Sequence, residues 1–120
     1  MQQTLTPVNV ATTILNACQE LGEQIYFGED VLVQALRGSN THPVRFFNLK
    51  ALHCFGKLSE IKAKPLLDAV AWLMREGFIY RADEKRPLLL VALEAMERIK
   101  SADLTEFASL LQVVHELVAQ

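Results

Sequence analysis

The order of the apolar segments is the strongest constraint on how this chain can fold. Three segments have apolar residues at helical spacing, and each ends at a glycine, the residue most often found just beyond a helix. Two short strand-type runs then flank a polar segment, residues 81–87, which predicts a hairpin. This order predicts a mainly α-helical domain with a small β-hairpin. The three glycines are Gly22, Gly38 and Gly77.

Local signals locate the starts of the first two helices. Thr6 is a good N-cap, and Pro7 suits the first helical position because a proline there loses no hydrogen bond. Glu29 and Asp30 favour the positive end of a second helix, which is predicted to end at Gly38. Between the two helices, residues 25–27 are predicted to form a short β-type segment.

The middle of the chain is less regular. Residues 39–43 are predicted to form a loop, and residues 44–58 a short helix with a buried turn. Pro65 marks the first turn of a third long helix, with its cap somewhere in residues 62–64. That helix is predicted to end at Gly77.

The last part of the chain begins with the predicted hairpin strands, residues 78–80 and 88–93. A short helix is expected over residues 95–100. Asp103 with Glu106 resembles a capping box, which predicts a final helix through Val118. Its broad apolar face is expected to pack on the domain, on a neighbour, or on both.

Helix, short strand, helix, helix, hairpin is the element order of a winged helix-turn-helix, with the third long helix as the recognition element. The predicted fold is therefore a winged helix-turn-helix plus an extra C-terminal helix. Short all-α domains with one hairpin are a competing interpretation. The predicted division is a winged-helix domain over residues 1–100 and a C-terminal helix over residues 101–120.

The net charge of −2 conceals a polarised distribution. Residues 1–34 carry −4 and residues 101–120 carry −3, whereas residues 35–64 hold six basic side chains against Glu60 alone. A chain of this kind can present one basic face while its total charge is acidic. Chance fluctuation of charge over short windows is the alternative.

Composition limits the class of protein. The chain has 120 residues, 51% of them hydrophobic, which is typical of one compact domain. No apolar run approaches the roughly 20 residues of a membrane span, and no signal peptide is evident, so a cytoplasmic protein is expected. Cys18 and Cys54 are expected to be buried apolar residues. No ATPase motif, catalytic group, metal site or cofactor is predicted.

Three segments carry a family resemblance. Residues 31–40 (VLVQALRGSN), 55–57 (FGK) and 72–79 (WLMREGFI) occur in one order, and the L-R-G-S piece is the most specific of them. Together they resemble the RQC winged-helix domain of RecQ-family DNA helicases. The resemblance covers about residues 8–99. It departs from the family at residues 56–59 (GKLS), where relatives commonly have Gly-x-Gly-Lys, and at the hairpin tip, which lacks an aromatic residue.

The resemblance implies duplex or forked DNA as a partner, bound beside a helicase core that lies in the same chain or in a partner protein. It also implies roles in DNA repair, recombination and replication. The family's phosphate-contacting arginine and serine correspond to Arg37 and Ser39. The expected DNA-binding residues are Arg37, Ser39, Asn40, Lys57, Lys62, Lys64, Arg81, Lys85 and Arg86.

Structural alternatives exist for several of these residues. Arg37 could serve only the C-terminal end of its helix, and Lys57, Lys62 and Lys64 could be solvated in a loop. Trp72 is expected in the core rather than as a base-stacking platform. For the whole chain, the alternatives to DNA binding through phosphates are a protein-interaction module and a dimeric transcription factor.

Overall fold

A computed structural model of the chain describes residues 6–82, 85 and 88–110. It confirms the predicted mainly α-helical fold with one small hairpin. The elements are α1 (Pro7–Gly22), α2 (Glu29–Arg37), α3 (His42–Phe46), a 3-10 turn (Leu49–Ala51), α4 (Ala63–Arg75), β1 (Ile79–Arg81), β2 (Leu89–Val91), α5 (Ala95–Ser101) and α6 (Thr105–Leu110).

The helix starts and ends follow the sequence signals closely. The Thr6 hydroxyl accepts a hydrogen bond from the backbone N–H of Asn9 at 3.1 Å, and Pro7 opens α1, as predicted. Gly38 follows α2 with a φ of 71°, and Gly77 follows α4 with a φ of 82°. Both glycines adopt the left-handed conformation that strains other residues.

One hydrophobic core joins all of these elements. Helix α1 packs against α2, α5 and β2, while α4 packs against α2, α6 and β1. Complete burial of one large apolar side chain contributes about 1.5–3 kcal/mol to the stability of the fold. The largest fully buried residues include Ile14, Leu15, Leu21, Phe27, Leu32, Leu36, Leu49, Leu58, Ile61, Leu66, Leu73 and Phe107.

The hairpin is shorter than predicted. Strands β1 and β2 are antiparallel, with Tyr80 opposite Leu90. The predicted second strand extended to residue 93, but Leu93 is 91% exposed and Glu94 has a φ of 64°. This left-handed residue ends the extended backbone and precedes α5, whose first residue, Ala95, is buried.

The prediction of a β-type segment at residues 25–27 is wrong, because these residues form a loop. The backbone N–H of Ile25 donates to the carbonyl oxygen of Leu21 at 2.9 Å and so continues the last turn of α1. Phe27 is completely buried. The apolar pattern therefore reflects the burial of one side chain in the core and not the formation of a strand.

The predicted loop at residues 39–43 is partly wrong, since α3 begins at His42. Thr41 precedes it in an extended conformation, and Pro43 stands in the first turn, where proline is tolerated. Phe46 and Phe47 are among the apolar residues that suggest a short helix and a buried turn here, but their side chains are 70% and 39% exposed.

Trp72 is buried, which confirms its predicted place in the core. Its indole N–H donates to a Glu106 carboxylate oxygen at 3.0 Å, and its ring stacks on Phe78. Arg75 donates to the other Glu106 oxygen at 2.7 Å. The sequence pattern of this helix also favours burial of Ala71, which is wrong, because Ala71 is exposed.

The start of α6 differs from a capping box. The Asp103 carboxylate accepts from the backbone N–H of Thr105 at 3.1 Å, but the Glu106 side chain bonds to α4. Phe107 is buried against Trp72, with ring centroids 5.2 Å apart. The predicted continuation of this helix, residues 111–118, lies outside the described residues.

Both cysteines are buried free thiols, as expected. Burial raises the pKa of Cys18 to about 12, with a smaller effect from Cys54. Burial and the neighbouring Glu20 carboxylate raise the pKa of Cys54 to about 12. Within the part of the chain that the structure describes, no helix is long and apolar enough to cross a membrane.

Candidate nucleic-acid interface

The turn after α2 contains the L-R-G-S residues and has a well-defined backbone. The N–H of Gly38 donates to the carbonyl oxygen of Ala35 at 3.2 Å, and the N–H of Ser39 donates to that of Gln34 at 3.0 Å. This pair of bonds forms a Schellman motif, which ends a helix by satisfying carbonyls that lack partners within it. The turn therefore holds Arg37 and Ser39 side by side at the end of α2.

A second turn, residues 54–58, packs directly on the first. The N–H of Gly56 donates to the Ala35 carbonyl at 2.9 Å, and that of Leu58 donates to the Leu36 carbonyl at 2.8 Å. A Cβ atom on Gly38 would meet the Cα of Gly56 at 3.1 Å, closer than normal contact. The F-G-K and L-R-G-S segments are thus in contact through their backbones.

The Arg37 side chain connects these turns to the start of α4. Its Nε donates to the carbonyl oxygen of Ile61 at 2.9 Å. Ile61 is buried, and the next residue, Lys62, is the exposed N-cap of α4. Three separate parts of the chain are therefore fixed next to one another around Arg37.

The Glu20 carboxylate holds the second turn from the side of α1. It accepts from the backbone N–H groups of His53 at 2.9 Å and Cys54 at 3.0 Å. Partial desolvation acts to raise the pKa of Glu20, but these two bonds outweigh it, and the pKa lies below its usual value. The turn is thus bonded both to α1 and to α2.

The predicted basic residues differ in what surrounds them. Among the described residues, neither Arg37 nor Lys62 forms an ion pair, whereas Lys64 lies 3.5 Å from Asp68 on the exposed surface of α4. Lys57 lines a groove that Glu20 and Glu23 also line, so two carboxylates offset its charge. Of these four predicted residues, Arg37 and Lys62 are therefore the two without a neighbouring carboxylate in the described part of the chain.

The predicted basic residues of the hairpin do not belong to the three segments that meet around Arg37. Arg81 donates to a Glu29 carboxylate oxygen at 2.9 Å, a contact that joins β1 to the first turn of α2. Lys85 is exposed near the hairpin tip. Arg86 lies outside the described residues. Arg81 thus has a carboxylate partner, unlike Arg37.

One basic residue near the turn was missed by the sequence analysis. Arg45, on α3, donates through one terminal nitrogen to the backbone oxygen of Asn40 at 3.0 Å and lies 3.5 Å from its side-chain oxygen. The signal was present in the sequence, since residues 31–59 contain no Asp or Glu. This stretch also supplies Lys50, which is exposed.

The described residues hold no group of three or more His, Cys, Asp or Glu side chains that could bind a metal ion. The arrangement they do form is a rigid backbone surface with basic side chains and a helix N-terminus. Such a surface suits the binding of anionic groups, because guanidinium, ammonium and exposed N–H groups all donate hydrogen bonds.

Comparison with known proteins agrees with this geometry. The family model of the RQC domain matches residues 8–115, which include both strands and all of the helices that the structure describes except the first residue of α1. No match was found among curated proteins. The chain therefore belongs to the RQC domain family, the non-catalytic and usually DNA-binding C-terminal domain of RecQ-type helicases.

Proposed function

We propose that this chain binds duplex and forked DNA through backbone phosphates, as the RQC domain of a RecQ-like ATP-dependent DNA helicase. The observation that carries the proposal is the meeting of three chain segments around Arg37. Backbone hydrogen bonds join the turn after α2 to the turn at Gly56, and the Arg37 side chain joins them to the start of α4. The basic groups of these segments favour an anionic partner.

Arg37 and Ser39 are the proposed centre of the contact. The bond from Arg37 Nε to the Ile61 carbonyl uses one of the five guanidinium donors and leaves both terminal nitrogens for a phosphate. The hydroxyl of Ser39 and the side chain of Asn40 are proposed to bind the same phosphate or its neighbour. Contacts of this kind position DNA without reading its sequence.

The start of α4 extends this contact. Lys62 stands at the N-cap, where the helix dipole and its unpaired N–H groups favour a negative ligand. Lys64 is proposed as a weaker contact because Asp68 is close by, and Lys57 as a weaker one because of Glu20 and Glu23. The recognition helix would thus approach the duplex backbone with its first turn.

The hairpin is proposed to lie beside the junction of a fork, with Arg81, Lys85 and Arg86 as electrostatic contacts. An attached or partner helicase core would supply ATP hydrolysis and strand separation. Such an enzyme would serve DNA repair, recombination and replication in the cytoplasm. The acidic ends of the chain predict weak binding by the isolated domain, so affinity would depend on that core.

A salt titration tests the proposal. Binding of blunt and forked duplexes, followed by fluorescence anisotropy, should weaken with salt along a log–log slope of about −3, as expected for about three phosphate contacts. Arg37→Ala should weaken all duplex sequences alike and reduce the size of that slope by about 1. Lys100→Ala is the matched control, because this exposed lysine lies on α5, which packs against α1.

Other outcomes would support the other two functions. The absence of any duplex binding at low salt would contradict the proposal and favour a protein-interaction module. A loss confined to one DNA sequence in Arg37→Ala would instead favour a transcription factor that reads bases. Sedimentation measurements would show whether the chain forms the dimer that such a factor requires.

A further inference from the structure

We propose that Phe46 is a stacking site for an unpaired base of the single strand that adjoins the bound duplex. This inference rests on the proposed function, because it assumes that DNA phosphates occupy the neighbouring turn at Arg37. It adds a second kind of contact, between an aromatic ring and a base. Residues 81–87, between the hairpin strands, contain no aromatic side chain and so cannot supply such a ring.

Phe46 is a large apolar side chain that the fold leaves exposed. It is 70% exposed at the end of α3, although Val44 of the same helix is completely buried. Its ring makes an edge contact with Phe47, with centroids 4.9 Å apart, and a tilted contact with His42 at 5.7 Å. These neighbours restrict the ring, and a ring that is already ordered loses little entropy when it binds a ligand.

Cationic and polar groups lie next to this ring. Arg45, the preceding residue, bonds to the backbone oxygen of Asn40, which directly follows the L-R-G-S residues. Helix α3 also packs against α2 and against the 3-10 turn that carries Lys50. Phe46 is therefore linked, through Arg45 and Asn40, to the turn where phosphate binding is proposed.

The charge around the ring determines the class of ligand. Residues 31–59 contain four basic side chains and no acidic one, and among the described residues Arg45 forms no ion pair. An exposed ring among unpaired cations fits a partner that combines a flat apolar group with a negative charge. A nucleotide has both, as a base and a phosphate, and single-strand binding proteins use this combination.

The test compares a blunt DNA hairpin with the same hairpin carrying a short single-stranded tail at either end. Wild-type protein should bind one tailed form more tightly, by about 5- to 150-fold for one stacked base. A 2-aminopurine in the tail should lose fluorescence on binding, because stacking quenches it. The blunt hairpin should bind wild type and Phe46→Ala equally.

Substitutions at Phe46 separate stacking from simple apolar contact. Phe46→Tyr should keep both the gain from the tail and the quenching, whereas Phe46→Leu should lose both. Tyr26→Ala is the matched control, since Tyr26 is an exposed aromatic residue in the loop before α2. Circular dichroism and thermal melts would check that each variant is folded.

Three results would overturn the inference: equal binding of tailed and blunt hairpins by wild type, retention of the tail effect in Phe46→Leu, and equal losses for both hairpins in Phe46→Ala. Retention in Phe46→Leu would point to an apolar protein partner for this patch. Failure of the proposed function looks different, because wild type would then not bind the blunt hairpin at any salt concentration. If a tail still bound through Phe46 in that case, the stacking site would act without phosphate binding at the turn.

Discussion

The backbones of Gly38 and Gly56 approach so closely that a Cβ atom on Gly38 would lie 3.1 Å from the Cα atom of Gly56. The same atom would lie 3.6 Å from the ring of Phe55. Gly38 also has a φ of 71°, which strains every residue with a side chain. Two separate constraints therefore require glycine at this position.

Gly38→Ala should lower the free energy of unfolding by about 2–3 kcal/mol, from backbone strain plus the contact with Gly56. Gly77→Ala is the matched control, because Gly77 has a φ of 82° but nothing within 4 Å of an added Cβ. That variant should lose only about 1 kcal/mol. Urea unfolding measures both values. Equal losses would contradict a role for the close approach.

Glu20→Gln should destabilise the protein by about 1 kcal/mol at pH 7, because the amide replaces one of the two oxygens that bind the N–H groups of His53 and Cys54. The pKa of Glu20 is lower in the folded state than its ordinary value of 4.5. The carboxylate therefore stabilises the fold above about pH 4.5, and this contribution disappears as the pH falls through the folded-state pKa.

Urea unfolding of wild type and Glu20→Gln at pH 7 and at pH 3 checks this prediction. The gap between the two proteins should be smaller at pH 3 than at pH 7, because the stabilisation that depends on the wild-type carboxylate declines as the pH falls below 4.5. A gap that is the same at both pH values would mean that the charge of Glu20 does not strengthen these bonds.

Glu106→Ala should cost about 1–3 kcal/mol of stability, because it leaves the indole N–H of Trp72 without its partner in a side chain only 2% exposed. Arg75→Ala, by comparison, removes only exposed ion pairs, one with the same carboxylate and a longer one with Glu76, and should cost less than about 1 kcal/mol. Thermal melts of the two variants measure the difference. A larger loss for Arg75→Ala would show that the ion pair matters more than the indole bond.

Glu29→Gln should strengthen binding of duplex DNA, by about threefold at low salt, if the hairpin contacts DNA as proposed. The substitution removes the carboxylate that lies 2.9 Å from Arg81 and leaves the guanidinium available to a phosphate. Anisotropy titrations at two salt concentrations measure the gain, which should shrink as salt rises. When Arg81→Ala is also present, Glu29→Gln should strengthen DNA binding less, because no guanidinium is then made available to a phosphate.

The sequence predicted those parts of the fold that depend on local signals. Thr6 and Pro7 start α1, and Gly38 and Gly77 end α2 and α4, because caps and left-handed residues act within one turn of a helix. The β-type segment at residues 25–27 was wrong for a related reason. An apolar run shows that side chains are buried, but it does not show whether the backbone pairs with another strand.

The candidate site was only partly predictable. The sequence singled out Arg37 and Lys62 but gave no sign that Arg37 bonds to the Ile61 carbonyl, 24 residues along the chain. The exposure of Phe46 was hidden in the same way, because Leu49 and Leu52 fill the core in its place. Such contacts depend on the packing of distant segments, which one sequence does not display.

The bonds that shape the proposed phosphate surface are mostly between backbone atoms: the carbonyls of Ala35 and Leu36 receive the N–H groups of Gly56 and Leu58. Side chains that form none of the bonds within this surface can therefore be exchanged without altering its shape, unlike those of Arg37 and Glu20. Replacing Ser39, Lys57 or Lys62 should tune the affinity for a polyanion in small, separable steps. The backbone of this surface would keep its shape while its charge is changed by substitution. A series of such variants would therefore suit the engineering of a domain with graded DNA affinity.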